Sequence, residues 1–141
     1  MTSVTHVPAV SRKRLITGYV LTTIAVLFLT FDNVVKLLRL SPAVEGTVQL
    51  GYPASSLLTI GIIELACLLL YLIPRTSVLG AILFTGYLGG AIATHVRLQN
   101  PLFTHILFPI YVAALLWGGL YLREPRLGEL LPFRRPVAQR A

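Results

Sequence analysis

The sequence predicts an all-α protein, a four-helix transmembrane bundle whose helices run antiparallel and whose N- and C-termini lie on the cytoplasmic side. Three observations lead there. Hydrophobic residues make up 55% of the chain and mean hydropathy is +0.79, while charged residues are only 12%, about half of the ~25% usual in soluble domains. The apolar residues fall into four stretches, each close to the ~20 residues that a helix needs to cross a bilayer. Basic residues gather at the edges of those stretches. A chain of this composition has too little polar surface to cover itself in water.

The 141 residues suffice for one domain: a basic N-terminal tail (1–13), a four-span membrane domain (14–122) and a basic C-terminal tail (123–141). The first span is expected over about 15–38. Arg12, Lys13 and Arg14 precede it, which raises the alternative of a signal peptide. Its apolar run exceeds the ~7–15 residues of a signal core, however, and no small-x-small cleavage pattern follows. Ser41-Pro42 and Gly51-Tyr52-Pro53 bound the first loop, and the second span follows at 54–73. Pro74-Arg75-Thr76 makes a tight turn into the third span at 77–96. Gln99-Asn100-Pro101 makes the next turn, into the fourth span at 102–122. The tail beyond it is basic and broken by prolines, so it is expected to be short and exposed.

The net charge of +7 does not point to nucleic acid, because the charges flank long uncharged runs instead of covering one face of a soluble fold. They set direction. With the N-terminus inside, the cytoplasmic side holds Arg12, Lys13, Arg14, Arg75, Arg123, Arg126, Arg134, Arg135 and Arg140. The far side holds Lys36, Arg39 and Arg97. Nine basic residues against three satisfy the positive-inside rule. The lone Cys67 excludes an intramolecular disulfide, a C-x-x-C pair and a Cys-rich metal site.

Helices associate in lipid where small side chains let backbones approach. Gly86, Gly89 and Gly90, with Gly80 earlier, on the third span, Gly118 and Gly119 on the fourth and Gly61 on the second are therefore expected at packing faces. On the first span, Gly18, Thr22, Ala25, Leu29, Asp32 and Lys36 fall on one stripe. Self-association through such faces stays open.

Ionisable groups inside spans are informative because each costs ~2.5–3.5 kcal/mol near a helix centre. The candidates are Asp32, Lys36, Glu64, His95 and His105, with Arg97 at a helix end. At ~1.5 Å per residue, Asp32, His95 and His105 share one layer in the outer part of the bilayer, with Glu64 nearer the midplane. These residues predict a narrow polar cavity that opens outward and has Glu64 as its floor. Lys36 is expected to snorkel to the interface or to pair with Asp32 four residues earlier. His95 and His105 read as interfacial hydrogen-bonding groups, and no metal site is expected because no close-spaced ligand motif is present. Glu64 lies too deep to snorkel and needs a partner, a proton or a cavity.

Three segments carry a family resemblance. The stretch Ile60-Gly61-Ile62-Ile63-Glu64-Leu65, continued by Leu69-Leu70-Tyr71-Leu72-Ile73-Pro74-Arg75-Thr76, is similar to the second helix and turn of the DoxX-like family. Leu79 to Leu83, Thr85 to Arg97 and Leu116 to Arg123 extend the match over roughly residues 14–132. The resemblance implies a four-helix bacterial inner-membrane protein, with Glu64, His95 and Arg97 as polar pattern residues and Gly61, Gly86, Gly89 and Gly90 as packing positions. It marks no catalytic residue. It further implies an accessory or anchor subunit, more than a stand-alone enzyme, in a quinone-linked redox system. Quinone would then be the exchanged cofactor, and a peripheral or soluble redox partner would dock at the basic cytoplasmic face. Two other readings stay open: a stand-alone binder, carrier or isomerase of a small lipophile using Glu64 and Asp32, and a structural or assembly protein without chemistry.

Overall fold

The computed structural model describes residues 9–131, and these form helices with no strand among them. Helix α1 (Arg12–Leu37) starts at Ser11, whose hydroxyl accepts from the Arg14 N–H at 3.3 Å and so caps one of the unpaired first-turn donors. Helix α2 spans Ser41–Gln49, α3 Ser56–Leu72, α4 Ser77–Arg97, α5 Phe108–Arg123 and α6 Leu127–Leu130. Two of these boundaries correct the sequence reading. The expected first loop contains α2, a nine-residue helix that Pro42 opens from within its first turn, where its missing N–H costs nothing. The fourth span does not start as an α-helix, because Leu102–Ile106 form a π-helical turn before α5. Pro109 explains this: it has no N–H to return to the carbonyl four residues earlier, so the ordinary ladder cannot run through.

The helices α1, α3, α4 and α5 pack in that cyclic order, each touching its two neighbours, while α2 lies over α1 and α3. Three helical stretches are long and apolar enough to cross a membrane (Arg12–Leu37, Ser77–Arg97 and the combined Leu102–Arg123), and α3 is a shorter apolar helix of 17 residues. Only 22% to 33% of each long stretch is buried inside the protein. Side chains such as Leu27 and Phe31 on α1 and Ile62 and Ile63 on α3 point outward instead, the arrangement of a bundle solvated by hydrocarbon. Inside are Ala25, Leu29, Leu68, Tyr71, Phe84 and Leu116, and the buried Tyr71 hydroxyl donates to the Leu116 carbonyl at 2.7 Å.

Close approach falls at some of the expected glycines and not at others. A Cβ on Gly119 would collide with the Thr22 hydroxyl and lie 3.0 Å from the Gly18 carbonyl, so α1 and α5 meet backbone to backbone. A Cβ on Gly80 would run into the Tyr71 backbone, joining α4 to α3 near their turn. Gly61 packs against Lys36 and Leu37 of α1. By contrast, among the described residues Gly86, Gly89 and Gly90 have no atom within 4 Å of where a Cβ would stand, and Gly118 meets only Leu21 at 3.5 Å. The packing role expected for these three α4 glycines is thus not met among the described residues: all three are exposed, and Gly90 borders an open space between α4 and α3.

At the end of the bundle opposite the α3–α4 turn, α1, α2 and α4 finish alike. Each has a left-handed residue just past the helix, Arg39 (φ 52), Gly51 (φ 83) and Gln99 (φ 53). In each case the next amide reaches back five residues, Leu40 to Val35, Tyr52 to Thr47 and Asn100 to His95, which satisfies carbonyls that the helix end leaves unpaired.

Candidate functional site

Helix α1 carries Asp32 and Lys36 one turn apart, and the Lys36 ammonium pairs with the Asp32 carboxylate. The same ammonium donates to Glu64 Oε2 of α3 at 2.8 Å and to the Tyr87 hydroxyl of α4 at 2.8 Å. Tyr87 in turn donates to Glu64 Oε2 at 3.2 Å. An ammonium has three N–H donors and no acceptor, so all three are matched. Lys36 therefore ties three helices together and does more than snorkel or pair with Asp32.

The local sequence explains the alignment. Gly61, one turn before Glu64, leaves room for α1: a Cβ there would stand 3.1 Å from Leu37 and 3.3 Å from Lys36. The buried Asn33 amide donates to the Gly61 carbonyl at 2.7 Å. These two features fix α1 against α3 at the height where Lys36 meets Glu64.

A cavity of about 410 Å³ lies against this cluster. Asp32, Lys36, Tyr87, Thr47, Tyr52, Thr94 and His95 supply its polar lining, and Leu50, Ile60, Ile63, Gly90 and Ala91 its apolar lining. Ile63 and Gly90 are also exposed on the outer surface, so the opening lies between α3 and α4. Those helices touch at Gly80 and leave this space further along. The expected floor needs correction. Glu64 is fully buried and does not line the cavity; it sits behind Lys36 and Tyr87. Its Oε2 accepts two bonds, while Oε1 is buried without a partner among the described residues. Unpaired polar atoms in an apolar interior are costly.

The remaining sequence candidates divide. His95 borders the cavity; its ring stands edge-on to that of His105, centroids 5.6 Å apart, and the pair lines a second cavity of about 290 Å³. His105 is not part of the main cavity. Arg97 points elsewhere and donates to the Leu50 carbonyl at 2.6 Å, which pins the end of α2 to the end of α4. No group of three or more His, Cys, Asp or Glu residues that could hold a metal occurs among the described residues. Tyr87, Asn33, Tyr52 and Thr94 were not singled out from the sequence. A signal was available for Asn33, since an amide one residue from Asp32 in an apolar span needs a buried partner. Tyr87 reads in sequence as one more apolar-span aromatic.

At the other end of the bundle, Arg14 donates to the Tyr121 carbonyl at 3.2 Å, and Arg123 lies over the Tyr19 ring at 5.3 Å. The Trp117 indole donates to the Thr85 hydroxyl at 2.8 Å, linking α5 to α4. Arg134, Arg135 and Arg140 lie outside the described residues.

Among the comparisons with known proteins, the model of the DoxX-like family matches residues 20–119. No curated protein and no solved structure matches the chain.

Proposed function

This chain belongs to the DoxX-like family, and from that premise we propose that it is an accessory or anchor subunit of a quinone-linked redox system in the bacterial inner membrane, with both termini cytoplasmic. That it is a membrane protein follows from the family together with its long apolar helices. The finer reading rests on one observation, the cavity of about 410 Å³ whose lining combines polar Asp32, Lys36 and Tyr87 with apolar Ile60 and Ile63, the latter exposed on the outer surface. That volume suits a small lipophile, and a lining with both polar and apolar residues suits a polar ring carrying an apolar tail. Docking of a peripheral redox partner is supported by the basic residues Arg12, Lys13, Arg14, Arg75, Arg123 and Arg126, which sit on helix ends and a turn at one end of the bundle.

The test is twofold. Purified protein in lipid nanodiscs should bind a short-chain benzoquinone or its quinol saturably, and a strain lacking the gene should lose quinone-dependent electron flow from one donor enzyme. Absence of binding to either form, together with normal electron flow, defeats the proposal.

One observation favours a second reading, a stand-alone binder, carrier or isomerase of a lipophile. Asp32 lines the cavity with a carboxylate that is part exposed, a group suited to acid–base work on a bound molecule. Conversion of a lipophile by partner-free protein, abolished in Asp32→Asn, would favour it over the accessory role.

A further inference from the structure

We propose that the cavity selects a ligand whose polar end donates hydrogen bonds, seating it on the Asp32 carboxylate, and that it discriminates against polar ends that only accept. This deepens the reading of the cavity as a lipophile site and rests on it.

The polar side chains of the lining have almost all their hydrogens engaged within the protein. The three ammonium hydrogens of Lys36 go to Asp32, Glu64 and Tyr87. The Tyr87 hydroxyl hydrogen goes to Glu64. Thr94 donates to the Gly90 carbonyl at 2.9 Å, which leaves Tyr52 to donate across 2.7 Å to Thr94. Thr47 donates to the Ala43 carbonyl at 2.8 Å. Each of these side chains therefore meets the cavity with its hydrogens committed to protein partners. His95 is the exception: the Asn100 amide nitrogen stands 2.8 Å from Nδ1, so Nδ1 accepts and the ring proton sits on Nε2.

Acceptor capacity, by contrast, is left over. Asp32 gives one oxygen to Lys36; its side chain is 38% exposed, and a carboxylate has about four lone-pair positions. The hydroxyl oxygens of Tyr52 and Tyr87 also keep lone pairs. The charge points the same way, with one ammonium facing two carboxylates. An oxidised quinone ring offers only carbonyl oxygens and would meet a lining that has almost no hydrogen to give. A ring hydroxyl, as in the reduced quinol, or an ammonium head finds its complement at Asp32, and bonds to an ionised acceptor are the stronger kind.

Four probes with matched alkyl tails separate the possibilities in nanodiscs held without oxygen: a benzoquinol, its quinone, the quinol dimethyl ether and an alkylammonium. The quinol should bind at least about tenfold tighter than the quinone, the scale of one hydrogen bond to a charged acceptor, and the dimethyl ether should lose that advantage. In Asp32→Asn, whose amide offers a donor, the preference should fall toward parity. If the variant does not fold, the wild-type comparison of quinol with its ether decides alone. Equal or tighter binding of the quinone overturns the inference and leaves the quinone-linked reading standing. Binding of the alkylammonium alone, lost in Asp32→Asn, upholds donor selection and overturns the quinone-linked reading. Binding of none of the four overturns both.

Discussion

Lys36 and Glu64 carry unequal risk when one of them is removed. The Glu64 side chain is wholly buried, whereas that of Lys36 keeps 18% exposure. Replacing Lys36 with Met would leave a buried carboxylate facing only Tyr87, and breaking a buried pair from one side typically costs about 3–5 kcal/mol. The prediction is that Lys36→Met lowers the unfolding midpoint in detergent strongly, and that adding Glu64→Leu recovers much of the loss, since a doubly apolar pair leaves no stranded charge. A double variant as unstable as the sum of its two singles would show that the pair is not a unit. Asn33→Leu should cost about 1 kcal/mol through the lost bond to the Gly61 carbonyl. The sequence showed Asp32, Lys36 and Glu64 as polar groups that needed explaining. It could not show that Lys36 reaches all of them, because a long flexible side chain selects its partners only after the helices have docked.

At the scale of helices, spacing revealed that stripes of small residues exist but not which stripe meets a neighbour. Every α4 glycine satisfies the small-residue pattern, yet only Gly80 touches another backbone closely. The choice depends on the rotation of α4, which is set by large side chains such as Phe84 and Leu88 turning into the core. Gly119→Leu and Gly80→Leu should therefore destabilise by at least about 2 kcal/mol, as overpacking at a backbone contact does. Gly86→Leu and Gly89→Leu should leave the unfolding midpoint of the protein nearly unchanged. Gly90→Leu should also fold normally, but its side chain borders the cavity mouth and should reduce lipophile binding in the nanodisc assay. A Gly86→Leu variant as unstable as Gly119→Leu would contradict this helix rotation, or reveal a partner on that face. The α2 helix and the π-helical turn escaped the sequence reading for a related reason. Nine residues opened by a proline look like a loop to any periodicity argument, and a one-residue widening of a turn leaves the apolar pattern of the span intact.

For the molecule as a whole, long apolar runs were enough to give a helical bundle with three helical stretches able to cross a membrane and a shorter apolar helix beside them, because hydrocarbon tolerates little else than closed helical ladders. Direction is a separate matter. It depends on the excess of basic residues at one end, and the fold sharpens that argument. The start of α1, the α3–α4 turn and the end of α5 come together at one end of the antiparallel ring, so Arg12, Lys13, Arg14, Arg75, Arg123 and Arg126 form one charged rim. Two of them are also held in place, Arg14 by the Tyr121 carbonyl and Arg123 against the Tyr19 ring. The opposite end exposes α2 and the three left-handed helix ends, with Arg39 and Arg97 as its basic residues near the surface. Moving the rim across the membrane would oppose both the translocation bias and the attraction of anionic lipid, worth ~1 kcal/mol per basic residue near the surface. In cells, single cysteines placed at Ser11 and Thr76 in a Cys67→Ser background should therefore resist an impermeant thiol reagent until the membrane is opened, while one at Glu45 in α2 should react at once. The converse pattern would invert the protein. It would place the mouth of the cavity near the cytoplasmic leaflet and remove the basic rim as a docking site for a cytoplasmic partner.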